Sequence, residues 1–143
     1  MSGLLGITLA LLLQVGQPPA TAWTWTLYDD SPLVLANEVP DTARLRSTFE
    51  CDPGTSIVRL SLYQAVPTSG FARVAAGSAT TMAQVERIRG SGLRLALRTD
   101  HPVFAAFAAD GRLSVRIGEE QRLIEVQRPH LAKLRRFAEL CAE

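Results

Sequence analysis

Hydrophobic and polar positions alternate through most of this chain with period two, the repeat of a half-buried β-strand. The clearest case runs from Ala43 to Gln64. Leu45, Ser47, Phe49 and Cys51 fall on one face, and Arg44, Arg46, Thr48 and Glu50 on the other. After Asp52-Pro53-Gly54-Thr55, Val58, Leu60 and Leu62 share a face opposite Ile57, Arg59, Ser61 and Tyr63. Pro53 presets φ and Gly54 is permissive, so the stretch reads as a β-hairpin. Leu93, Leu95 and Leu97 repeat the pattern, as do Leu113, Val115 and Ile117. Arg122 to Val126 reads as the hairpin partner of that last strand, across a turn at Gly118 to Gln121. Trp23–Tyr28, Leu33–Ala36 and Phe71–Ala76 are shorter strands by residue type. Thr81 to Arg89 fits a helix through Met82, Val85 and Ile88, or a strand; its strand-like, glycine-bounded flanks favour the strand.

Two segments change period. Asp100-His101-Pro102 is a helix start signal, and Val103, Phe104, Phe107 and Ala108 line one side of a short helix that Asp110-Gly111 ends. Pro129 opens a last helix whose stripe is Leu131, Leu134, Phe137, Ala138 and Cys141. Regular helical crossovers, which a parallel sheet needs, are absent from the pattern. The expected fold is therefore mainly β: an antiparallel sandwich or open barrel with one short internal helix and a C-terminal helix.

The 143 residues, 47% of them hydrophobic, suit one domain with a substantial core. A net charge of +1 argues against general affinity for nucleic acid or anionic membrane. Lys133 is the only lysine, so the basic side chains are almost all arginine, the residue suited to bidentate contacts with carboxylates and phosphates.

The first charged side chain is Asp29. Ahead of it an apolar run from Leu4 to Leu13 meets a Pro18-Pro19 breaker and then the small residues Ala20-Thr21-Ala22. This pattern predicts a secretory signal peptide over residues 1–22, cleaved after Ala22, and a single mature domain over 23–143. An apolar run of about ten residues is too short to cross hydrocarbon, which takes about 20. No stable membrane insertion is expected after cleavage, and the expected location is periplasmic or secreted.

Export changes what the cysteines mean. Two cysteines in a secreted chain read as a disulfide, and Cys51 with Cys141 is the sole pairing. The bridge would pin the last helix to the end of a central strand.

Candidate chemistry is sparse. His101 and His130 have no partners at metal-ligand spacing, and both cysteines are committed, so no metal or cofactor is expected. Ser91, Asp100 and His101 carry no nucleophile-elbow motif, and a hydrolase lacks a visible constellation. Asp29-Asp30 and Glu119-Glu120 lie in turns, where paired carboxylates are solvated. No catalytic residue is expected. The candidate binding surface is Ser91, Arg94 and Arg98, with both arginines on the face opposite the leucines.

The aromatic mature start Trp23-Thr-Trp-Thr-Leu-Tyr28, Phe49-Glu-Cys-Asp-Pro-Gly54, Asp100-His-Pro-Val-Phe-Ala-Ala-Phe107, Gly111-Arg-Leu-Ser-Val115 and Arg136-Phe-Ala-Glu-Leu-Cys141 together resemble a loose group of small exported proteins of Gram-negative bacteria. That resemblance implies export and a disulfide, and no activity. Cys51-Asp-Pro-Gly54 and Ser91-Gly-Leu-Arg94 are also similar to segments of periplasmic inhibitors of C-type lysozyme. This second resemblance implies a small β-barrel in which Arg94 and Arg98 enter an acidic enzyme cleft beside Ser91. The function expected from the chain is an exported, non-enzymatic binding or envelope accessory protein; the alternative is a lysozyme-inhibitor-like protein. The partner class is a protein or envelope component.

Overall fold

The computed structural model describes residues 22–65 and 68–143; the signal segment expected over residues 1–22 lies almost wholly outside them. Among the described residues nine strands form one antiparallel sheet: β1 (Thr24–Tyr28), β2 (Leu33–Glu38), β3 (Leu45–Cys51), β4 (Ile57–Tyr63), β5 (Gly70–Ala76), β6 (Ala79–Ile88), β7 (Gly92–Arg98), β8 (Arg112–Ile117) and β9 (Glu120–Glu125). Helix α1 (Pro102–Asp110) interrupts them after β7, and a single 3-10 turn (Arg128–His130) leads into α2 (Leu131–Ala142). Of the two β architectures expected, the observed one is the open barrel: a single curled sheet in the order β1-β2-β3-β4-β7-β6-β5-β8-β9.

The curl is centred on β6. Its first part, Ala79 to Val85, pairs with β5, and its last residues, Glu86 to Ile88, pair with β7. One long strand thus changes neighbours along its length and carries the bend between two halves of the sheet. The strand reading of Thr81 to Arg89 holds, and its helical spacing is coincidental: Ala83 and Val85 are buried, while Met82, Gln84 and Glu86 are exposed.

Alternation puts one face of the sheet inside. Leu33, Leu35, Phe49, Val58, Leu60, Leu62, Leu93, Leu95, Val74, Leu113 and Val115 are all buried. Both helices lie on this concave face, α1 against β5, β6 and β8, and α2 against β1 and β2. Phe49 of the central hairpin is the hub. Its ring centroid is 5.1 Å from Phe107 of α1, 6.4 Å from Phe137 of α2 and 6.0 Å from Trp25 of β1. Four elements therefore share one aromatic cluster, with centroid spacings in the range where offset and edge contacts are favourable.

The predicted hairpin and disulfide both form. β3 and β4 pair antiparallel, and Cys51 is bonded to Cys141 with their Cα atoms 5.8 Å apart. The loop after Cys51 does more than turn the chain. The N–H groups of Gly54 and Ser56 both donate to the carbonyl of Cys141, each at 3.0 Å. They satisfy a last-turn carbonyl of α2 that the helix itself leaves unpaired. Gly54 has φ +83°, and a Cβ there would lie 3.3 Å from the backbone of Glu143. Glycine suits both the turn and the close approach of the C-terminus.

Helix α1 starts and stops as its flanking residues dictate. His101 is the cap: its Nδ1 accepts the N–H of Val103 at 3.1 Å, with Pro102 in the first turn. Asp100, the more conventional cap type, is instead bound to Arg98. Gly111 ends the helix in the left-handed region.

Candidate functional site

Nine strands do not close this barrel. β1 and β9 are the outermost strands, and among the described residues a side-chain bond joins them. The indole Nε1 of Trp25 donates to the carbonyl of Glu125 at 2.9 Å. Lys133 of α2 donates through Nζ to the carbonyl of Trp25 at 2.6 Å and lies 3.2 Å from Nδ1 of His130. Further along, Arg122 of β9 reaches the ends of β3 and β4, donating to the carbonyls of Tyr63 at 3.1 Å and Arg46 at 3.3 Å. Between β9 and the ends of β2, β3 and β4 lies an open groove of about 680 Å³. Asn37, Ser47, Tyr63, Glu120, Arg122 and Ile124 are among the residues lining it.

Arg122 owes its place to strand period. Glu120, Arg122 and Ile124 share the inward face of β9, and Ile124 is buried. An arginine in line with a core residue on an edge strand must turn its charge somewhere, and here it enters the groove. Both of its observed partners are uncharged carbonyls. No carboxylate pairs with it among the described residues, where the ion pairs are Arg59 with Glu50 and Asp52, Arg98 with Asp100, and Arg112 with Glu125. At the groove's rim Arg46 stacks over the Trp23 ring, its guanidinium carbon 4.0 Å from the centroid. That geometry is a cation–π contact.

The titration behaviour near the seam follows from packing. His130 is held below the usual imidazole range, first by burial and then by the cation of Lys133. A neutral ring at this position can accept from Lys133 Nζ.

The surface expected from the sequence is spread along β7. Ser91 is exposed in the β6–β7 turn, and its carbonyl accepts the N–H of Ala65 at 3.3 Å. Arg94 donates through Nε to Ser61 at 3.3 Å and stands across from Glu86 on β6. Arg98 forms a two-point ion pair with Asp100 at 2.9 and 3.0 Å, which raises the Arg98 pKa and lowers that of Asp100. Four residues of strand separate the two arginines by about 13 Å. Arg94 and Arg98 do share the outer face, but the structure does not gather Ser91, Arg94 and Arg98 into one site.

Sequence reasoning missed the seam. Arg122 stood only at the start of a returning strand. The available signal was its phase: it sits two residues before Ile124, at an inward position of the β8–β9 hairpin where alternation calls for an apolar residue. Asn37 and Ser47 likewise occupy inward positions, and pair with each other across β2 and β3.

Among the described residues no group of three or more His, Cys, Asp or Glu side chains is placed to hold a metal ion. No helix among them is long and apolar enough to cross a membrane. Comparison with protein-family models, with curated proteins and with solved structures returns no match.

Proposed function

We propose that this chain is an exported, non-enzymatic binding module of the bacterial envelope. The observation that carries the reading is the polar groove at the open seam, built on the sheet and holding a cation with no acidic partner among the described residues. A binding site of this kind needs convergent polar groups on a fixed scaffold and no nucleophile. The disulfide supports export, since such bonds persist in oxidising compartments. The side chains most apt for catalysis have other work: His101 caps α1, and both cysteines form the bridge.

Two measurements test this. The full chain, expressed in a Gram-negative host, is expected in the osmotic-shock fraction with a mature start near Trp23; retention in the cytoplasm overturns the export reading. The purified domain is expected to turn over no ester, peptide or glycan substrate; turnover of any of them contradicts the non-enzymatic reading. The lysozyme-inhibitor alternative rests on Ser91, Arg94 and Arg98, and no contact in the site favours it. A lysis assay with C-type lysozyme at micromolar excess of the domain decides that alternative directly.

A further inference from the structure

The free edge of β9 and the charge of Arg122 meet in the same groove. In the β8–β9 pair, Val126 donates its N–H to Gly111 at 2.7 Å, while the carbonyl of Glu125 points the other way to the Trp25 indole. Bonding in an antiparallel pair alternates residue by residue. Glu120, Arg122 and Ile124 therefore spend their backbone groups on β8. Gln121 and Leu123 turn theirs to the open edge, where no partner bonds them among the described residues. Leu123 also holds its side chain in solvent, 53% exposed, on the outer face of this edge.

We infer that the seam groove captures an extended peptide as an added strand on β9, with an acidic side chain of that peptide set against Arg122. The inference rests on the binding-module reading and names its ligand class. Main-chain groups of Gln121 and Leu123 supply the sequence-independent bonds of strand addition. Directly opposite residues on one face stand about 5 Å apart at Cβ, so the inward residue facing Arg122 reaches its guanidinium. Arg122 uses two of its five N–H donors on Tyr63 and Arg46, leaving three for a carboxylate. The residue next to the acid then faces outward beside Leu123, where an apolar side chain covers exposed surface. Glu120 lies two residues from Arg122 on the same inward face, so an acid is excluded from the position opposite it.

The chemistry selects among occupants. Residues 1–22 contain no Asp or Glu, so the chain's own leader lacks the required acid. A second copy pairing β9 to β9 about Leu123 would set Ile124 opposite Arg122. Arg122 also ties β9 to the β3 and β4 ends by one side chain, so a partner at this edge must fit beside that tie.

A random ten-residue peptide library displayed on phage, panned on the folded domain, tests the inference. Enriched peptides are expected to share one acidic residue with an apolar neighbour, and no acid two positions away on one side. A synthetic peptide of the enriched sequence should lose about tenfold or more in affinity with Arg122→Gln, the scale of a lost charge-assisted bond. Leu123→Pro should abolish binding. Its N–H faces the open edge, so the β8 ladder survives and the variant stays folded. Amide exchange should slow at Gln121 and Leu123 when peptide is present. No enrichment at micromolar affinity, a consensus without an acid, or equal binding by wild type and Leu123→Pro overturns the inference. Equal binding leaves the binding-module reading standing with its site elsewhere. A concentration-dependent dimer that Leu123→Pro dissolves identifies a second copy as the occupant and also overturns it.

Discussion

The indole of Trp25 and the carbonyl of Glu125 are bonded at 2.9 Å across 100 residues of sequence, and they tie the first strand of the sheet to the last. Trp25 is 1% exposed and packs on Phe49, so it holds the seam and the core together. Trp25→Phe keeps most of the packing and loses the bond. It should cost about 1–2 kcal/mol in urea unfolding. Trp25→Ala should cost about 3–5 kcal/mol. A Phe variant as stable as wild type would show that the Glu125 contact does not hold the seam.

The Cys51–Cys141 bridge spans 90 residues and is reinforced by the Gly54 and Ser56 bonds to Cys141. Replacing both cysteines by serine should destabilise the domain by about 2–5 kcal/mol. The loss should be local first: amide exchange in α2 and at Gly54 and Ser56 accelerates before the β4–β7 pair responds. Uniform acceleration throughout would argue that the bridge acts only on the unfolded chain.

His130 gives the seam a pH dependence with a definite sign. Its pKa is lowered in the folded protein by burial and by Lys133, so below the ordinary value near 6.5 the unfolded chain binds more protons. Its contribution to stability is intact above that pH and is lost as pH falls through the folded pKa. His130→Gln should flatten the stability profile below about pH 6.5. A profile unchanged by the substitution would remove His130 from the account.

Gly111 is required twice over. Its φ is +77°, and a Cβ would sit 2.3 Å from the carbonyl oxygen of Val126 and 2.8 Å from Leu131 Cδ2. The left-handed backbone alone costs alanine about 1–2 kcal/mol. The clash with backbone adds to it, and Gly111→Ala should exceed about 2 kcal/mol by denaturant titration. Gly90 has φ +84° with open space around its Cβ position. Gly90→Ala should therefore cost only the backbone part, about 1–2 kcal/mol. Equal losses at the two sites would show that the contact with Val126 relaxes freely.

Strand positions, inward faces, both helices and the disulfide were legible in the sequence because each depends on short-range periodicity or on a unique pairing. Leu93, Leu95 and Leu97 must face one way in any sheet that contains them. Leu134, Phe137 and Cys141 must share a helical stripe. Boundaries moved where the turn chemistry was shorter than it looked: β9 begins at Glu120, because a two-residue turn at Gly118 and Glu119 suffices. His101 became a cap because the fold withdrew Asp100 into its pair with Arg98.

By itself, then, the sequence determined a disulfide-linked, antiparallel β domain with one short internal helix and a C-terminal helix. Only the tertiary structure decided which strands are neighbours beyond the two predicted hairpins. β4 pairs with β7 and β5 with β8, and these long-range choices leave β1 and β9 as outermost strands and open the groove. The physical reason is that alternation specifies which face of a strand is buried, whereas the backbone groups that join strands are the same at every residue. The apolar pattern of β9 is the same whether its far edge is paired or free, so neither the seam nor the role of Arg122 could be read before the sheet curled.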